Sequence, residues 1–217
     1  KGDMGVLMET VDTLRSEAIS KLTAIREIKK SALARYFGGI RDQVLTLSED
    51  RMIVDAMVGF DGAFDSYARE TGVTPDQLAE MRTALATYYT GEFATEYAAQ
   101  NDNAKFDSAG TVAKLSDSAV VFQYKFIREN KNPLGSKHQL DSLDDGSGYD
   151  RVHGNVHPII RNYLEKFGYY DIFLVDAENG VVQYSVFKEL DYGTSLKNGP
   201  WANSGLANAY NAAMKLD

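Results

Sequence analysis

A chain of 217 residues with 44% hydrophobic and 25% charged residues can bury a real core, in one large or two small domains, and its composition points neither to disorder nor to a membrane-embedded protein. The formal net charge of −8 opposes a nucleic-acid backbone or an anionic lipid surface as main partner, since both need a concentrated basic face. Cysteine is absent, which excludes disulfides, thiol catalysis and zinc–thiolate sites, and no apolar run of about 18 residues predicts a transmembrane helix.

From Val6 to Leu47 there is no proline, and apolar residues recur in steps of three and four through Leu7, Val11, Leu14, Ala18, Leu22, Ile25, Ile28, Ala32, Tyr36, Ile40, Val44 and Leu47. Such a stripe belongs to a helix that packs along its whole length or pairs with a partner. Some 40 residues at about 1.5 Å each make a helix of roughly 60 Å. The basic cluster Arg26–Lys30 contains Glu27 and reads as a solvated face of it. Gly38-Gly39 leaves the phase of the stripe intact, so a close packing contact or slight bend is expected there, not a break. The N-terminus lacks the basic-then-apolar pattern of a secretory leader.

Ser48 followed by Glu49 and Asp50 reads as an N-cap with an acidic first turn, opening a second helix to about Glu70 through Ile53, Met57, Phe60, Phe64 and Tyr67. Thr74-Pro75-Asp76 is the clearest helix start in the chain, with cap, proline at the first helical position and an acid behind it. A polar stretch runs from Gln100 to Gly110, and Ser116–Asn130 has helical spacing. Asn130–Gly148 is loop, Tyr149–Phe167 is helix, and Gly168 supplies its C-cap. The period then changes to that of strands over Tyr170–Val175 and Val181–Phe187, with an Asn179-Gly180 turn between them, which predicts a β-hairpin. A loop follows over Asp191–Pro200, and Trp201–Met214 has helical character. A lone hairpin is marginal in water, so further sheet or covering helices are expected. The fold class is α+β and helix-rich.

His153 and His157 have the four-residue spacing that aims two imidazoles at a metal, yet no glutamate follows His153 and Pro158 abuts His157, so a structural role is expected and no metal is assigned. The acidic loop from Asp141 to Asp150 misses the alternating ligands of a calcium-binding loop and reads as solvated. No Gly-x-Ser-x-Gly elbow, phosphate loop or dinucleotide fingerprint occurs. A non-catalytic protein without a cofactor is therefore expected. Aromatic residues crowd the hairpin region, and Tyr and Trp combine an apolar face with a polar tip, a mixture that builds cores and also lines pockets for small polar ligands.

The segments Leu22–Lys30, Tyr36-Phe37 and Ile40–Gln43, together with Phe167–Asp176 and Tyr184–Glu189, resemble the extracytoplasmic sensor regions of bacterial methyl-accepting chemotaxis proteins. That family is related to Cache sensors with PAS-like sheets. The resemblance implies a long stalk helix over residues 1–47 packed against a sensing module over residues 48–217. The module would comprise a helical part, 48–168, and a small antiparallel Cache-like sheet with its following helix, 169–217. It also implies a small-molecule ligand, a homodimer through the long helix, a periplasmic location and membrane attachment only through helices outside this chain. Tyr184, Asp191, Tyr192 and Trp201 are the ligand-binding candidates. The later strands of a PAS-like sheet are not among these residues, so for the sheet the resemblance extends only to the first two strands and the helix after them. The same sensor could serve a diguanylate cyclase or histidine kinase, and a partner-binding helical protein with no small ligand is the remaining alternative.

Overall fold

The computed structural model describes residues 2–216 and shows a helix-rich α+β protein. Its compact units divide between Arg51 and Met52. The first is one α-helix, α1 (Gly2–Glu49), with none of its residues buried. At 1.5 Å per residue its 48 residues span about 70 Å. The stripe from Leu7 to Leu47 advances about 3.6 residues per step, the period of a straight α-helix, so it stays on one side of α1. Gly38 and Gly39 lie within the helix, and nothing within 4 Å would meet a Cβ at either, so the expected close contact is not made within the described chain.

The second helix begins later than the sequence suggested. Ser48 lies inside α1, where its hydroxyl bonds back to the Leu45 carbonyl at 2.8 Å, and the break falls at Asp50, before α2 (Arg51–Glu70). A serine that can satisfy itself within the preceding turn does not have to cap the next helix. α2 buries Ile53, Ala56, Phe60, Phe64 and Tyr67, one stripe at helical spacing. α3 (Pro75–Tyr88) starts as predicted, with a full capping box: the Thr74 hydroxyl accepts from the Gln77 N–H, and the Gln77 side chain accepts from the Thr74 N–H. A π-helical turn over Tyr89–Phe93 leads into α4 (Ala94–Gln100).

Two short helices follow. α5 (Ser108–Ala113) begins in the last residues of the polar Gln100–Gly110 stretch and runs past it, and α6 (Asp117–Gln123), capped by Ser116, runs into a second π turn over Tyr124–Arg128. α7 (Gly148–Phe167) passes through Pro158 and ends on Gly168, whose φ of 71° only glycine adopts without strain. The acidic loop before α7 exposes Asp141, Asp144 and Asp145, as read from the sequence, yet it is tied down by hydrogen bonds. Asp150 is buried and accepts from the Leu143 and Asp144 N–H groups, both at 2.8 Å, and from the Ser142 hydroxyl at 2.7 Å, while Asp145 accepts from the Tyr67 hydroxyl at 2.6 Å.

The hairpin is real but shorter than its β-forming residues allow: β1 (Phe173–Val175) pairs antiparallel with β2 (Val182–Ser185). Its inner end is taken over by Asp171, whose carboxylate accepts from the N–H groups of Ile172, Val186 and Phe187 and from the Ser185 hydroxyl. Helices do cover the sheet. Every residue of β2 is buried, and α7 reaches it through the Tyr149 hydroxyl, which donates to the Gln183 carbonyl at 2.6 Å. On the hairpin's far side Val182, Leu196 and Ala207 form a second small core. Ala207 belongs to α8 (Gly205–Ala213); Trp201, expected to open this helix, lies in the turn before its Ser204 cap.

The main core of this unit is aromatic. Phe122 stacks on Phe64 at 4.2 Å and on Tyr67 at 4.6 Å, and Tyr149 meets Phe122 edge-on at 4.6 Å. Each such ring removed from water contributes about 1.5–3 kcal/mol. Together they join α2, α6 and α7 into the wall against which the hairpin and the segment after it are seated.

Candidate functional site

The segment from Phe187 to Tyr192 leaves β2 in an unusual conformation and is held at several points. Lys188 has φ 58°, a left-handed value that lysine seldom adopts, and its N–H donates to the Ser185 hydroxyl, itself held by Asp171. The Gln123 amide donates to the Leu190 and Tyr192 carbonyls, both at 2.9 Å, and its own carbonyl accepts from the Tyr89 hydroxyl. The Trp201 indole N–H also donates to the Leu190 carbonyl, at 2.9 Å. Gly193 follows at φ 77°, where an added Cβ would come within 3.3 Å of the Ala119 Cα, so the backbone can lie directly on α6 only with glycine there.

This anchored segment forms one wall of a cavity of about 500 Å³. The opposite wall comes from the end of α3, the π turn and α4, with Tyr88, Phe93 and Tyr97 among its residues; Lys137 closes part of the rim. Of the four candidates from sequence, Asp191 and Trp201 line the cavity. Tyr184 and Tyr192 are fully buried outside its lining, and they flank the Lys188 side chain, with its ammonium 4.7 Å and 5.6 Å from their ring centres. They thus support a lining residue from behind.

Lys188 is the residue that sequence reasoning missed here. Its side chain is fully buried, its ammonium donates to the Ser185 carbonyl at 2.5 Å, and among the described residues it forms no ion pair. Burial pulls its pKa down to about 7, with Asp171 opposing and Arg161 adding to the fall. Asp191 moves the other way: burial, then the charges of Asp171 and Glu189, push its carboxyl up to about 7, against the backbone N–H groups of Asp191 and Tyr192. Asp191 Oδ1 is sealed from water without a hydrogen-bond partner, and so is the Tyr88 hydroxyl. Burial also raises Tyr88 to about 12 and lowers Lys137. Lys137 is spent on the Asn130 carbonyl at 2.8 Å.

The histidine pair lies elsewhere, in the core of α7. The two rings stack at 4.4 Å. His157 Nε2 faces the His138 carbonyl at 2.7 Å and therefore carries the proton, leaving Nδ1 to accept from the Tyr184 hydroxyl at 2.7 Å. His153 Nδ1 donates to the Asp141 carbonyl at 2.8 Å, and its Nε2 is unpartnered. Among the described residues no cluster of three or more histidine and acidic side chains is arranged to hold a metal.

No protein-family model, curated protein or solved structure matches this chain. The site is therefore read from its own chemistry. The cavity can enclose a small organic molecule, in a lining that mixes aromatic side chains with the acids Glu96, Glu189 and Asp191.

Proposed function

We propose that this chain is the extracytoplasmic sensing region of a transmembrane chemoreceptor, binding a small molecule and relaying the event through α1 toward a cytoplasmic signalling region. The observation that carries the reading is the cavity of about 500 Å³, whose lining joins the aromatic residues Tyr88, Phe93, Tyr97 and Trp201 with the acids Glu189 and Asp191. Asp191 and Trp201 are the binding residues of this proposal, with Tyr184 and Tyr192 holding Lys188 behind them.

The relay needs only a population shift. A ligand that prefers one arrangement of the segment around Asp191 over another biases that equilibrium by its difference in affinity, and a straight helix carries a small displacement without chemistry. α1 suits that task, and its unburied apolar stripe suits pairing with a second copy of the chain. Among the described residues no helix is long and apolar enough to cross a membrane, so in this proposal the spanning helices lie outside the chain.

Thermal-shift screening against amino acids, organic acids, amines and purines tests the reading. A ligand that binds only the folded state raises the melting temperature, by an amount that grows with its concentration over Kd. No shift across such a library would leave the partner-binding helical protein as the better account.

A further inference from the structure

We propose that the corner Phe187–Glu189 is a proton-operated gate in the cavity wall: neutral Lys188 keeps its side chain in the core, and protonated Lys188 swings it out into the cavity and remodels the wall. Proton uptake is then an input to the site in its own right, and it can be observed with no ligand present.

The slot that holds Lys188 suits an amine and is poor for an ammonium. The side chain lies between the rings of Tyr184 and Tyr192, and its Nζ donates to the Ser185 carbonyl at 2.5 Å and to the Val186 carbonyl at 3.4 Å. Two carbonyls use the two N–H groups of an amine, whereas an ammonium brings a third donor and a full charge into a place sealed from water. Asp171, the acid that acts on Lys188, is already occupied by the N–H groups of Ile172, Val186 and Phe187 and by the Ser185 hydroxyl. The other titratable groups facing it supply no negative charge: His153, His157 and Arg161 come from α7 and His138 from the connection before it, and Arg161 repels an ammonium. Even with two ring faces to attract it, burial leaves the ammonium with a pKa of about 7, well below the ordinary lysine range.

The corner also has somewhere to go. Lys188 lines the cavity, and the wall around it carries the exposed acids Glu96 and Glu189, so an ammonium turned outward gains water and two carboxylates. The backbone favours the move, because a lysine keeps a φ of 58° only while its surroundings compel it, and release lets it return to negative φ. Both flanks are pinned, Ser185 and Val186 by Asp171, and Leu190 and Tyr192 by Gln123, which confines the motion to the three residues between them.

Trp201 is the only tryptophan; it lines the same cavity and donates to the Leu190 carbonyl at the end of the corner, so its emission reads the wall. Titration of the free chain from about pH 9 to about pH 6 is expected to shift that emission in one single-proton step, the ratio of the two forms changing about tenfold per pH unit. Lys188→Met, which keeps the apolar stem, is expected to hold the high-pH spectrum throughout, and Lys188→Arg, charged at every pH, to show the low-pH spectrum at about pH 9. Asp191, its carboxyl pushed up to about 7 by burial, titrates in the same range, and His138 packs its ring on Phe187 at 4.3 Å. The step is therefore expected to persist in Asp191→Asn and in His138→Gln. Each lysine variant is read once it melts cooperatively, and either one decides; if neither folds, the parent and the two controls decide, since all three keep Lys188. No step in the parent, a step that survives in Lys188→Met or vanishes in either control, or a high-pH spectrum in folded Lys188→Arg overturns the gate. The sensor reading stands or falls by the thermal-shift screen, so the two failures are distinguishable.

Discussion

The hydroxyls of Tyr149 and Tyr192 lie 2.6 Å apart in the core of the Met52–Asp217 unit, and the bond between them has a direction. Tyr149 also faces the Gln183 carbonyl at 2.6 Å, which can only accept, so Tyr149 donates there and accepts from Tyr192. One chain of two bonds thereby joins α7, β2 and the segment that walls the cavity.

The direction makes the two tyrosines unequal. Tyr192→Phe removes a donor and leaves Tyr149 bonded to Gln183, so it is expected to cost about 1 kcal/mol. Tyr149→Phe strands the buried Tyr192 hydroxyl and the Gln183 carbonyl together, so a cost of about 3 kcal/mol is expected. Urea denaturation of the two single variants measures the difference, and equal losses would contradict the donor order.

The buried histidine His157 makes stability depend on acid. Burial lowers its pKa to about 2, below that of a histidine in the unfolded chain, so on acidification below about pH 6.5 the unfolded chain takes up the proton first. The stability this group holds at neutral pH is lost at about 1.4 kcal/mol per unit. His157→Gln gives up the bonds to Tyr184 and His138 and is expected to be less stable than the parent at pH 7, with that deficit shrinking by about 2 kcal/mol by pH 5. Comparing parent and variant at each pH cancels the opposing contributions of the raised carboxyls Asp171, Glu189 and Asp191. A deficit that stays constant would show that the ring is protonated in the folded protein.

Lys188 works in the alkaline direction. Its folded pKa of about 7 lies below that of an unfolded lysine, so the unfolded chain holds the proton between pH 7 and about 10, and stability rises with pH in that window. Relative to Lys188→Met, the parent is expected to gain about 2 kcal/mol between pH 7 and 9. Chemical denaturation at the two pH values reads this directly, and parallel behaviour of the two proteins would mean that the ammonium is not buried as described.

Much of this fold is legible in the chain, and the parts that are not share a cause. The Thr74-Pro75 start, the Gly168 stop and the Asn179-Gly180 turn are local devices, in which a few adjacent residues satisfy one another, and periodicity reports them. Ser48 and Trp201 misled because their hydrogen bonds go to Leu45 and Leu190, choices set by geometry and not by spacing. For the site, the aromatic crowding is visible in the composition and Asp191 was named only through the family resemblance, whereas Lys188 was not singled out at all. An exposed surface is the usual place for lysine, and only the strained turn after β2 and the paired rings of Tyr184 and Tyr192 take this one inside. Asp171 was equally hidden, since an acid near the start of a run of strand-forming residues reads as solvent-facing until its carboxylate is seen to hold three backbone N–H groups.

α1 carries the last prediction. Leu14 and Ile25 are 60% and 49% exposed in a single copy, and a 48-residue helix with no buried residue lacks the packing from which helices in proteins draw most of their stability. A second copy laid along the Leu7–Leu47 stripe would cover these residues at positions that recur every three or four along both helices. Sedimentation velocity on the chain at micromolar concentration is therefore expected to show a dimer. The double variant Leu14→Asp, Ile25→Asp places charge at two turns of the stripe and should yield a monomer, while the melting of the Met52–Asp217 unit, which buries its own core, stays where it was. A parent chain that sediments as a monomer would remove pairing along α1 from the relay proposed above; a variant that stays dimeric would move the contact to another surface.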